Sequence, residues 1–105
     1  MPAAALTRAD VETCVVAARA EILGLGVRRL ALFGSVQRNT ARPDSDVDIL
    51  VEFEPGAKTF ERFLDLGELL EAAFDRPVEL VTTESLSPFL GPHILAEAQD
   101  VLHAA

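Results

Sequence analysis

Asp46 and Asp48 are two carboxylates separated by a single residue. In an extended chain both side chains leave the same face, about 6–7 Å apart along the backbone. At that separation two charges repel by about 3 kcal/mol at an effective dielectric of about 20, so a compensating group is expected. A divalent cation serves: Mg²⁺ prefers hard oxygen ligands and is commonly held by one or two carboxylates plus the phosphate oxygens of a substrate. The plain alternative is a solvated strand face, because an Asp-x-Asp tripeptide alone carries little information. Val47, Ile49, Val51 and Phe53 argue against it, since their alternation marks a packed strand.

Two further groups could complete such a site. Gly34-Ser35 follows the apolar run Leu30-Ala31-Leu32-Phe33, and a glycine at the end of a buried strand lets the backbone approach a ligand closely. If Ser35 opens a short helix, its hydroxyl and the free N–H groups behind it face a phosphate. Arg38, about one helical turn on, could reach the same anion with its fork of donors. The competing reading is an ordinary serine cap. Glu79 lies inside Val78-Glu79-Leu80-Val81, where an unpaired buried charge would cost several kcal/mol. It either faces solvent on an edge strand or joins Asp46 and Asp48 at one cation. In the second case it could also accept a proton from an attacking hydroxyl.

These residues must be positioned by elements the sequence also indicates. Thr7 with Asp10 three residues on gives a helix start. Val11, Cys14, Val15, Ala18 and Ile22 form its apolar stripe, and Gly24 and Gly26 end it. Leu30–Phe33 suits a strand covered on both faces, with Arg28 and Arg29 before it. A second strand spans 46–53, placing Val47, Ile49, Val51 and Phe53 on one face and Asp46, Asp48, Leu50 and Glu52 on the other. Pro55-Gly56 is a turn. A helix over 57–74 would bury Phe60, Phe63, Leu64, Gly67, Leu70 and Phe74. A third strand follows at 78–82, and a last helix after Pro92 would bury Ile94, Leu95, Ala98, Val101 and Leu102. The expected architecture is α/β (α+β): a small mixed three-stranded sheet covered by helices, in one domain over residues 1–105 with 1–6 flexible.

Composition narrows the function classes. The chain has 105 residues, 17 acidic against nine basic, one cysteine and no tryptophan or tyrosine. One cysteine makes neither an internal disulfide nor a thiolate zinc site. The net charge of −8 disfavours coating duplex nucleic acid, which relies on Lys and Arg displacing counterions. No apolar run approaches the roughly 20 residues a membrane span requires, and Met1-Pro2-Ala3-Ala4-Ala5 lacks a signal pattern. A soluble cytoplasmic protein without membrane contact is expected. The charges are also segregated. From Ile22 to Pro43 there are four arginines (28, 29, 38, 42) and no acid, and from Asp44 to Glu54 five acids and no base. That juxtaposition suits an anion and a cation bound together, or is ordinary surface charge.

The run from Leu32 to Arg38, followed by Arg42-Pro43-Asp44-Ser45-Asp46-Val47-Asp48-Ile49-Leu50-Val51-Glu52-Phe53, resembles the signature of minimal nucleotidyltransferases, small relatives of DNA polymerase beta. Their pattern is G-S-x-A-R-G, a short loop, then S-D-x-D and an apolar strand. Gly34, Ser35 and Arg38 match, as does the spacing to Asp46, and residues 87–98 resemble the ending of these proteins. Gln37 stands where the pattern has alanine and Asn39 where it has glycine. Asn tolerates a left-handed backbone best among other residues, so the loop should survive. Glu79 stands where aspartate is usual; one extra methylene moves a carboxylate by about 1 Å, enough to cost about a hundredfold in rate.

The resemblance implies transfer of a nucleoside monophosphate from a triphosphate to a hydroxyl, with release of pyrophosphate. It implies two Mg²⁺ ions, with Asp46, Asp48 and Glu79 as catalytic metal ligands and Gly34, Ser35 and Arg38 at the phosphates of ATP. Standalone members resemble the antitoxin half of toxin–antitoxin pairs, whose partner is a HEPN-domain ribonuclease toxin, the proposed chemistry being adenylylation of a toxin tyrosine. A chain this short leaves little for an acceptor-binding domain, which also points to a protein acceptor. The alternative is an antitoxin that acts by binding alone, with weak or absent catalysis.

Overall fold

The computed structural model describes residues 5–104. Helix α1 spans Arg8–Ala17 and starts as the sequence indicates. The Thr7 side chain accepts from the Asp10 N–H, and the Asp10 carboxylate accepts from the Thr7 N–H. This reciprocal cap satisfies two donors that a helix start otherwise leaves open. Thr7→Ala is expected to cost about 1 kcal/mol, read as a lower urea midpoint. The chain bends at Ala18 and resumes as α2 (Arg19–Gly24), so one expected helix is two. Of the stretch 1–6 expected to be flexible, residues 1–4 lie outside the described residues, and Leu6 packs on the core.

The sheet has four strands rather than three, in the order β3-β2-β1-β4. Strand β1 (Val27–Phe33) pairs antiparallel with β2 (Val47–Phe53), and β2 pairs parallel with β3 (Val78–Thr82). Strand β4 (Gln99–His103) lies antiparallel on the other side of β1. The helical spacing of Ile94, Leu95, Ala98, Val101 and Leu102 predicted a helix through this stretch. Instead α5 covers only Gly91–Glu97, and the backbone turns extended at Ala98. The reason is tertiary. Buried β1 needs partners for its N–H and C=O groups on the side away from β2, and residues 99–103 provide them. Arg28 and Arg29 fall inside β1, Arg28 at a register shift, rather than before it.

Helix α4 (Phe60–Phe74) begins at a Thr59 cap, three residues later than expected. Its buried side is Leu66, Leu70 and Phe74, with Phe63, Leu69 and Ala73 beside them. Phe60 and Leu64, expected in the core, are exposed.

The two faces of the sheet are covered unequally. Val47, Ile49, Val51 and Phe53 pack with Leu30 and Leu32 against α1, α2 and α4 in the main core. On the other face Ala31, Phe33 and Leu50 form a smaller cluster with, among the described apolar residues, Val81, Leu86, Ile94 and Ala98. Asp46 and Asp48 belong by strand alternation to this thinly covered face. No helix among the described residues is long and apolar enough to cross a membrane.

Candidate active site

Strand β2 places Asp48 between Phe33 of β1 and Glu79 of β3, its register neighbours on either side. The parallel register therefore sets the Asp48 and Glu79 side chains next to one another on one face. A backbone hydrogen bond from the Val47 N–H to the Pro77 carbonyl, 2.9 Å long, ties the starts of the two strands together. Asp46 precedes β2 and is exposed. The turn before it is held by the Arg42 N–H donating to the Ser45 hydroxyl at 2.8 Å and the Ser45 N–H donating to the Arg42 carbonyl at 3.0 Å.

Gly34 closes the other side. It has φ +79°, and a Cβ there would overlap the Asp48 carboxylate. Both facts require glycine: the left-handed backbone disfavours a side chain, and the carboxylate occupies the space a side chain would need. Helix α3 (Gly34–Gln37) follows, so Ser35 is its second residue and not its cap. The Ser35 carbonyl accepts from the Thr40 N–H at 2.9 Å, and Asn39 takes the expected left-handed conformation at φ 60°. Asparagine thus does the work of the usual glycine in this loop.

Burial pushes the Asp48 carboxyl up to about 6. The next causes act in the same direction: protonated Asp48 donates to Glu79, and the charges of Glu79 and Asp46 oppose its ionisation. Arg38 works against the shift. Glu79 thus lies exposed on an edge strand, one of the two positions the sequence left open, with its side chain beside Asp48. Glu79→Ala should bring the Asp48 pKa down from about 6 toward its ordinary value without reaching it, because burial remains. Carbon-detected NMR titration measures this, and an unmoved Asp48 would refute the contact.

Of the four arginines in the basic stretch, three are held by ion pairs. Arg28 and Arg29 lie 3.5 and 3.7 Å from Glu52, Arg29 also 2.8 Å from Asp100, and Arg38 2.5 Å from Glu97 on α5. Glu97 was not singled out in the sequence. It stands 59 residues from its partner, and no local pattern announces such a contact.

Among the described residues no three His, Cys, Asp or Glu side chains gather into a ready-made metal cage. The donor set nevertheless fits Mg²⁺. Asp48 crowds two other carboxylates with Arg38 as the opposing charge, and Mg²⁺ ordinarily takes few protein carboxylates and completes its shell with water and substrate phosphate. Cys14 is half-buried on α1 and packs on the core, and His93 and His103 are exposed.

Comparison with known proteins identifies the family and the fold. The family described as nucleotidyltransferase domain matches residues 16–101. Protein adenylyltransferase MntA of Thermococcus cleftensis is 39% identical over 95 residues, covering 90% of this chain and 95% of the relative. A crystal structure of a toxin–antitoxin with AMP-PNP superposes with a TM-score of 0.68 at 23% identity, covering 89% of this chain and 73% of that one. A Shewanella oneidensis structure, a tri-AMPylated HEPN toxin in complex with its MNT antitoxin, gives 0.63 at 20% identity, with 90% and 71% covered. At such identities the two structures speak for the fold alone. The family match and the MntA relative carry the assignment: the chain belongs to the nucleotidyltransferase domain family and is an enzyme of that class.

Proposed function

We propose that this protein is the antitoxin of a toxin–antitoxin pair and transfers AMP from ATP to a tyrosine hydroxyl of a HEPN-domain toxin, with Mg²⁺, in the cytoplasm. The observation that carries the reading is Asp48, half-buried against Gly34 and crowded by Glu79 and Asp46. A protein leaves such repulsion only partly offset, here by Arg38, where a cation and an anionic substrate supply the balance. Support comes from the MntA relative, a protein adenylyltransferase, and from the neighbour in which the partner of an MNT antitoxin is an AMPylated HEPN toxin.

The roles follow from position. Asp46 and Asp48 would hold Mg²⁺, with Glu79 as third ligand, and the bound ion would supply Lewis-acid stabilisation of the charge that develops on the α-phosphate oxygens. Gly34 lets the backbone come close to the β- and γ-phosphates, and the hydroxyl of Ser35 donates to them. Arg38 reaches the same phosphates by leaving Glu97. Glu79, at the exposed rim, accepts the proton of the attacking hydroxyl.

The test mixes the purified chain with α-labelled ATP, MgCl₂ and the HEPN-domain protein encoded by the adjacent gene. Label on that protein is expected, lost when its acceptor tyrosine becomes phenylalanine. Neutralisation of the toxin without label would establish binding alone as the mechanism and overturn the transfer reading.

A further inference from the structure

The ion pair between Arg38 and Glu97 joins two parts of the chain that are held with unequal firmness. Glu97 ends α5 and is fixed from both sides. Ile94 and Ala98 pack in the smaller cluster on the thinly covered face of the sheet, and the Ala98 N–H donates to the Ile94 carbonyl at 2.8 Å. Two residues beyond Glu97, β4 begins its pairing with β1. The Glu97 side chain is 26% exposed. Arg38 follows the four-residue α3 as its cap, and its side chain is 54% exposed. Its Nη1 lies 2.5 Å from Glu97 Oε1, so the anchored carboxylate decides where the long, exposed guanidinium goes.

Arg38 has other carboxylates to choose from. Its charge is felt by Asp48, around which the charges of Glu79 and Asp46 also gather. Released from Glu97, the guanidinium would gain most by forking onto Asp48, the meeting point of this negative charge. There it would cover the oxygens a divalent cation needs, and an arginine is not removed by deprotonation. As a stabilising contact the Arg38–Glu97 pair counts for little, because much of it is in water. As a device that keeps a cationic side chain off Asp48 it matters, and its place at the rim of the site suits that role.

We propose that Glu97 is a positioning residue: it holds the Arg38 guanidinium beside the site and off the Asp48 carboxylate, leaving the carboxylates open to a divalent cation until a triphosphate draws Arg38 over. This rests on the function proposed above and deepens it, by assigning the residue that keeps the place of the cation apart from that of the phosphates. Glu97 touches neither and acts through Arg38.

The experiment measures Mn²⁺ uptake, read as loss of the free-ion EPR signal, by the full chain, Glu97→Gln, Arg38→Gln and the double substitution, all without nucleotide. Glu97→Gln is expected to weaken Mn²⁺ binding about fivefold, the size of an exposed charge interaction. Its melting temperature in EDTA should stay within about 2 °C of the parent's. The double variant should bind Mn²⁺ at least as tightly as the parent, because the competing guanidinium is gone. If Glu97 attracted the ion by its own charge, or merely supported the fold, Glu97→Gln would weaken binding equally in the Arg38→Gln background. That result overturns the inference, as does unchanged or tighter binding in Glu97→Gln alone. Uptake by the parent only when AMP-PNP is added also overturns it, since the carboxylates would then not be open beforehand, but leaves the function proposed above standing. Absence of uptake even with AMP-PNP defeats the metal site of that function and this inference together.

Discussion

Asp48→Asn is expected to reduce AMP transfer by about 10³-fold or more while leaving the protein at least as stable as before. The two effects share one cause. Asp48 is held up at about 6 in the folded chain against an ordinary value of 3.8, so the folded state takes its proton more readily than the unfolded chain does. Ionised Asp48 therefore opposes folding above about pH 6, and this burden is lifted as the pH falls from 6 toward 3.8. Asparagine keeps the shape and removes the charge. At pH 7.5, in EDTA, its melting temperature should exceed that of the parent by several degrees, reflecting about 1 kcal/mol once partial exposure is allowed for. At pH 4 the advantage should vanish. A variant that is inactive and equally destabilised at both pH values would show that Asp48 supports the fold, and the reading of this residue as a functional charge would be lost.

Gly34→Ala carries the largest expected stability cost. A left-handed backbone at φ +79° costs a side-chain-bearing residue roughly 1–2 kcal/mol. The new Cβ must also displace the Asp48 carboxylate, bringing the total to about 2–4 kcal/mol. Because the displaced group belongs to the site, transfer should fall by about 10²-fold in whatever fraction stays folded. A double-mutant cycle separates the two costs. With Asp48→Gly already made, alanine at 34 should cost only its backbone part, leaving a coupling of about 1–2 kcal/mol measured by urea denaturation. Additivity within about 0.5 kcal/mol would mean that glycine is needed here for its backbone alone.

Gly34 also illustrates what could be read early. Its type and place after an apolar strand marked a close approach, but not what approaches. The structure supplies Asp48, 14 positions later in a neighbouring strand. Asn39 was fully legible, because its left-handed conformation follows from local sterics. Arg38 was legible as a cation and not as one held by Glu97. Phe60 was misread because helical spacing locates a stripe without fixing where the helix starts; α4 begins at Phe60, and Leu66 rather than Leu64 turns inward.

Residues 99–103 mark the boundary most clearly. Their apolar spacing continues that of α5, yet they form an edge strand because β1 has hydrogen-bonding groups to satisfy. By itself the sequence determined what local chemistry dictates: the Thr7 cap, the alternation that sets Asp46 and Asp48 on one face, the left-handed Asn39, and the charge segregation along the chain. Only the tertiary structure decided that Glu79 stands beside Asp48, that Glu97 holds Arg38, and that a fourth strand closes the sheet. Those contacts join residues tens of positions apart, and their energy depends on strand register and on shared burial, neither of which any short stretch of sequence contains.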